Sequence, residues 1–444
     1  MGKKKNLLAL AAYGLLSGQA WSFDLSQAYS EALEQDSTIR GVRAATDARR
    51  ERLPQARALL LPNLSASISR YRNSLERTSP DSSGQPVTSD LRYTSRSEVL
   101  SLRQPIFRLV QMADYRQAAA QVEDAEAVLE RETQNVGVRV SGAYFEALLA
   151  EEHLALVLAQ KTAYTTQFDA AQKRLGAGFG MRTDVDEARA ALDLNVAQEL
   201  EARQSLDFTR RQLQSLVNRP IDRLAPLDPS RMQLARPVPD RLEDWVERAE
   251  ANSPELQSLA AQVEAAKYEL EKAQAGHYPT LDAVVQLSRS DSDTVTSVKT
   301  RYTNRSIGLQ LSIPLYSGGY VSSTVRQALA GQERAQEALE ATRRDLGVRL
   351  HREFRGVTEG VLRVRALEQA VRSAEQVVIS NSRSFDAGSR TLPDVLNAEQ
   401  QKVSAQRDLA QARFIYLMSR IRLQALAGGA RAEVIDEVNG WLVR

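Results

Sequence analysis

From Leu64 onward the chain alternates. Leu64, Ala66 and Ile68 take one side of a period-two pattern, and Ser65, Ser67 and Ser69 take the other. The alternation returns at Leu100 and Leu102 against Val99, Ser101 and Arg103. It returns again at Leu281, Ala283, Val285 and Leu287, and at Ile307, Leu309, Leu311 and Ile313 against Ser306, Gly308, Gln310 and Ser312. Four strands of about ten residues are predicted. Pro105 is expected to close the second, and polar Ser74–Asp90 to form the loop before it. Elsewhere the period changes. Ala118, Val122, Ala125, Leu129, Val136, Val140, Ala143 and Ala147 follow a three-four spacing, a coiled-coil seam of mostly small residues. No proline falls between Leu109 and Leu175, which predicts one helix on the order of 100 Å long. A second helix returns from Thr183 to about Val217.

The whole pattern occurs twice. A shift of 210 residues takes Gly178 to Gly388, Asp184 to Asp394, Val185 to Val395 and Ala188 to Ala398. A shift of 217 takes Leu25–Ile39 to Leu242–Leu256, and Pro62-Asn63-Leu64 to Pro279-Thr280-Leu281. Arg92-Tyr93-Thr94 matches Arg301-Tyr302-Thr303. Each half reads helix, helix, strand, loop, strand, helix, helix. The first pair of helices is placed near Leu25–Glu34 and Thr38–Leu60, ended by Pro62. Gly318-Gly319 turn the chain into the second long helix, which runs to Phe385. At each hairpin tip, glycine stops one helix, and Thr183 or Thr391 is expected to cap the next. Asp184 and Asp394 then sit in a first turn that favours negative charge.

Met1–Ser22 reads as an export signal: Lys3, Lys4 and Lys5, then apolar Leu7–Leu16, then small residues. Residues 23–219 form the first repeat, 220–240 a five-proline linker, 241–429 the second repeat and 430–444 a short tail. Among 444 residues there are 58 basic, 56 acidic and no cysteine. The balance gives no reason to expect nucleic acid. Without cysteine there is no disulfide, thiolate metal site, Cys nucleophile or lipid-bearing cysteine.

Past the signal, no apolar run reaches the ~20 residues of a membrane helix. The strands instead match the ~9–11 residues of a tilted membrane strand, lipid-facing on one side and lumen-facing on the other. Four strands cannot close a barrel, and an open edge in lipid is prohibitively costly. Chains must therefore pool strands. Two would give eight, a barrel filled by its own side chains; three would give twelve, with room for water. Periodicity leaves that choice open. A rod-like coiled coil without a pore would explain the helices but not the strands.

Together these features resemble the TolC-like outer-membrane efflux family. The most specific segments are the doubled tips, RLGAGFGMRTDVDEARA and SFDAGSRTLPDVLNAEQ. The resemblance implies an α+β membrane protein. Each chain of a homotrimer gives four strands to a 12-stranded outer-membrane barrel, which continues as an α-helical barrel through the periplasm. It implies that Asp394 rings the aperture, with Asn397 where a second acid is often found. Arg390 would tie the second hairpin to its neighbour through Thr183 and Asp184. Phe385 stands where a tyrosine would join that network. Gly178, Phe179, Gly388 and Ser389 match the grooves that receive a periplasmic adaptor. Three copies of Asp394 on one axis would raise one another's pKa values.

No enzyme is expected. Gly176-x-Gly178-x-Gly180 follows a helix and lacks the phosphate-loop ending. His153, His277 and His351 are scattered, so no metal or other cofactor is expected. The expectation is a passive duct served by a periplasmic adaptor and an inner-membrane ABC or proton-driven transporter. The absent cysteine and short tail resemble the type I protein-secretion branch; small-molecule efflux is the alternative.

Overall fold

The computed structural model describes residues 22–294, 297–429 and 432–443, without the side chains of 292–299. All of the export signal but Ser22 lies outside these residues. In chain order the elements are α1 (Leu25–Gln35), α2 (Ser37–Arg50), α3 (Arg52–Ala58), β1 (Asn63–Pro80), β2 (Pro86–Phe107), α4 (Leu109–Gly176) and α5 (Arg182–Val217). Then follow α6 (Leu242–Asn252), α7 (Pro254–Ala275), β3 (Thr280–Thr294), β4 (Ser297–Ser312), α8 (Tyr320–Asp386), α9 (Leu392–Leu426) and α10 (Ala432–Asn439). The duplication survives in detail. Helices α1 and α6 have 11 residues each, α4 and α8 have 68 and 67, and α5 and α9 have 36 and 35.

The chain divides into two compact units. One spans Val42–Leu129 and Pro254–Arg344. Its centre is an antiparallel sheet in the order β1-β2-β3-β4, so β1 and β4 are both edges. The register lines up the sequence pattern across all four strands. Leu64, Leu102, Val285 and Ile307 share one row, and Ser65, Ser101, Gln286 and Ser306 the next, on the opposite face. On the edge strand β4 the apolar face is bare, with Ile307 82% exposed and Leu309 69%, whereas Leu102 and Val285 on the central strands are half-buried. No described helix is long and apolar enough to cross a membrane. At the foot of the sheet, buried Asp282 on β3 accepts from Arg108 Nε at 2.8 Å, pinning the end of β2 to β3.

Three expectations need correction here. Ser74–Asp90 is not a loop. Strands β1 and β2 continue through it, 18 and 22 residues long, and turn only at Asp81–Gln85, where Gly84 has φ +80°. Backbone pairing does not require apolar side chains, and Thr78 and Thr88 bond across the pair at 2.8 Å. Pro105 does not end β2 either. The strand crosses an irregularity between Pro105 and Phe107, which accommodates a residue without an N–H. Finally, Thr38–Leu60 is two helices. The break at Glu51 lies where Pro54 cannot donate to the Arg50 carbonyl.

The other unit comprises the described residues up to Gly41, Glu130–Ser253, and those from Asp345 onward. Its core includes Phe145 stacked on Phe414 at 5.5 Å, with Tyr144 edge-on to Phe145. The five-proline segment is not a loose tether. Its Ile221, Leu224, Ala225 and Leu227 are buried. The Tyr144 hydroxyl lies 2.9 Å from the Phe23 carbonyl and 3.0 Å from that of Ala225. Burial pushes this phenol's pKa far up, so it stays a neutral donor. The Tyr416 hydroxyl donates to Ala235 O at 2.9 Å. The short tail also folds. Helix α10 buries Val434, Ile435 and Val438, and Asn439 Oδ1 accepts from the Leu25 N–H at 2.9 Å.

Candidate functional site

Both hairpin tips belong to the helical unit, and each is built the same way. Two residues beyond α4 stands Gly178 at φ +80°, and two beyond α8 stands Gly388 at φ +77°. The Phe179 N–H bonds Arg174 O at 3.0 Å while Gly178 N–H bonds Leu175 O at 3.0 Å. In the second tip, Ser389 bonds Ser384 O and Gly388 bonds Phe385 O, both at 2.9 Å. Nested bonds of this kind satisfy the last carbonyls of a helix, and they need a left-handed residue, which glycine adopts without steric cost. Phe179 projects from the first tip 90% exposed, whereas Ser389 occupies the same place on the second.

The caps differ between the tips. Thr391 is the N-cap of α9, and its N–H and hydroxyl reach Asp394 Oδ2 at 2.9 and 2.8 Å. Helix α5 is capped by Met181, which offers no side-chain bond, so Thr183 lies inside the first turn and is not the cap. At the shift of 210 residues, Met181 is the true counterpart of Thr391. Asp184 and Asp394 nevertheless hold the same place in their first turns.

Arg390 NH1, just before the cap of α9, lies 3.6 Å from Asp394 Oδ1 in the first turn of that helix. Within the chain, Arg390 does not join Thr183 or Asp184. The bonds from Thr391, and then the charge of Arg390, hold the Asp394 carboxyl below the usual carboxylate range. One copy of the chain therefore favours the ionised form, opposite in direction to the rise expected where copies converge. Asn397 is exposed further along α9, and Asn381 Nδ2 on α8 donates to Asp394 O at 3.0 Å.

What joins the two tips is apolar packing plus one ion pair. Tyr164 and Ala171 of α4, Ala188 of α5, and Leu392 and Leu396 of α9 form a buried cluster, with Phe385 packed against it. Arg174 on α4 bonds Asp386 Oδ1 on α8 at 2.8 Å and lies 4.6 Å over the Phe385 ring. Phe385 thus engages a cation in place of the hydrogen bond a tyrosine would supply. Sequence comparison of the two tips misses Arg174 and Asp386 because neither is duplicated. At the shift of 210, Arg174 meets Ser384 and Asp386 meets Gly176.

The family model described as outer membrane efflux protein matches residues 28–219 and 245–429. The alkaline protease secretion protein AprF of Pseudomonas aeruginosa is 35% identical over 97% of this chain and 88% of its own length. The proteases secretion protein PrtF of Dickeya chrysanthemi is 29% identical over 99% and 95%. Outer membrane protein TolC of Vibrio cholerae is 29% identical over 100% and 99%. Among solved structures, VceC of Vibrio cholerae superposes with a TM-score of 0.76 at 19% identity, covering 92% of this chain and 97% of that one. The outer-membrane channel OprN gives 0.75 at 16% identity, covering 91% and 90%. These two likenesses show a shared fold.

Proposed function

The chain belongs to the outer membrane efflux protein family, and on that premise we propose that three copies form the outer-membrane duct of a machine that secretes a protein. The open sheet is the main support. Strands β1 and β4 both leave an edge unpaired, and lipid offers no water to satisfy those groups. Joining β4 of one copy to β1 of the next removes every edge. Three sheets make twelve strands, which leave a lumen; eight would be filled by their own side chains. AprF and PrtF are named for the secretion of proteases, which favours a polypeptide cargo over a small molecule.

In this reading the tips are the gate. Asp394 and Asn397 face the aperture, while Arg390, Thr183 and Asp184 meet across neighbouring copies. Phe385 with Arg174 holds the two hairpins of one copy together. Gly178, Phe179, Gly388 and Ser389 receive a periplasmic adaptor, and exposed Phe179 gives that contact an apolar anchor. An inner-membrane ABC transporter supplies the energy. Chemical crosslinking of the detergent-purified protein should give a trimer, and disruption of the gene should remove specific proteins from the medium. A water-soluble monomer would defeat the barrel. Unchanged secretion with a large rise in drug susceptibility would instead identify a small-molecule pump.

A further inference from the structure

The sheet's outward face changes character abruptly toward its turns. Two consecutive rows are mainly apolar: Leu64–Leu102–Val285–Ile307, then Ala66–Leu100–Leu287–Arg305. The next holds Ile68, Glu98, Arg289 and Thr303, and the one after it Arg70, Arg96, Asp291 and Arg301. Arg72 and Arg92 follow on the same face. Along β2 this face is the open one: Arg92, Thr94 and Arg96 are exposed, while Leu91, Tyr93, Ser95 and Ser97 are partly covered. On the opposite face the adjoining row holds Ser69, Ser97 and Ser290, each partly covered, and exposed Tyr302, without a charge. The cationic belt therefore faces away from any lumen and filters no cargo.

The acids here do not neutralise the belt. Asp291 accepts from Arg301 Nε at 2.7 Å, and Glu98 pairs with Arg96. Arg70, Arg72, Arg92, Arg289 and Arg305 have no carboxylate of the described residues within ion-pair distance. The register even sets Arg70 directly opposite Arg96, and like charges in that position repel. A cation on the lipid face is costly at mid-membrane but not at the interface. The belt therefore marks the depth at which headgroups begin, on the side of the strand turns.

We propose that this belt binds the phosphates of an anionic lipid headgroup in the outward-facing leaflet, with guanidinium groups taking phosphate oxygens two at a time. The proposal rests on the barrel reading. The trimer in detergent is mixed with bisphosphorylated lipid A, or with the same lipid stripped of phosphate, and retained lipid is counted by native mass spectrometry. Wild type should keep the phosphorylated lipid alone, and millimolar inorganic phosphate should not displace it. The triple variant R70Q/R72Q/R305Q removes groups that make no internal ion pair, and retention should fall on the order of tenfold or more. Arg103→Gln, on the other face, should leave retention unchanged. Should the triple variant not assemble, Arg70→Gln alone gives the comparison. Equal retention by the variants, equal retention of the stripped lipid, or displacement by free phosphate would each overturn the proposal. Absence of a wild-type trimer would instead count against the barrel.

Discussion

Replacing Arg174 by alanine should loosen the gate. Its guanidinium bonds Asp386 at 2.8 Å and covers the Phe385 ring at 4.6 Å. The two partners are 42% and 63% exposed, so solvent screening limits the ion pair to about 1 kcal/mol or less. The ring contact adds about 0.5–1 kcal/mol. Each copy thus loses about 0.5–2 kcal/mol of attraction between its hairpins. If three copies open together, the closed-to-open ratio falls by a factor of about 10–10⁴. Single-channel conductance in planar bilayers measures this as a rise in open time. Phe385→Leu keeps the apolar packing on Leu392 and Leu396 but removes the ring, so it should give a smaller rise. Arg390→Ala offers a comparison. Within its own copy, Arg390 meets only the Asp394 carboxylate, at 3.6 Å and screened by solvent, so this intrachain contact is the weaker of the two. A larger effect from Arg390 would mean that it acts between copies. Unchanged open time in an assembled Arg174→Ala trimer would refute the reasoning.

Gly388→Ala should strain the second tip by about 1–2 kcal/mol through its φ of +77° alone, since a Cβ there meets nothing within 4 Å. Adaptor affinity, read by calorimetry, should fall while the trimer's melting temperature barely moves. Tyr144→Phe removes the hydroxyl that holds Phe23 O and Ala225 O together. Phe23 O keeps the Ala225 N–H at 3.1 Å, so the cost of about 1–3 kcal/mol comes from the Ala225 carbonyl left unpaired, seen as a lower denaturation midpoint. For Asp394, bonds from Thr391 and then the Arg390 charge depress the folded pKa. Its stabilisation of the tip is complete above the ordinary Asp value near ~4 and is lost as pH falls through the lower folded value. Conductance should therefore be flat between about pH 5 and 8 as far as this group is concerned. A transition inside that window would mean that converging copies raise its pKa.

The sequence by itself determined what depends on neighbours along the chain. Period-two alternation told which side of each strand is apolar, because successive side chains point to opposite faces. Glycine at 178 and 388 announced the tips, because only a residue without a Cβ takes a left-handed bend cheaply. The repeat told that one architecture occurs twice. Only the tertiary structure decided how far the strands run, since a paired backbone is satisfied whatever its side chains, so polar Ser74–Asp90 gave no sign of pairing. It alone brought Arg174 to Asp386, 212 residues away, folded the tail onto α1, and aligned arginines from four strands in one belt. Each of those contacts joins residues that no local periodicity relates, and only the packed chain brings them within range.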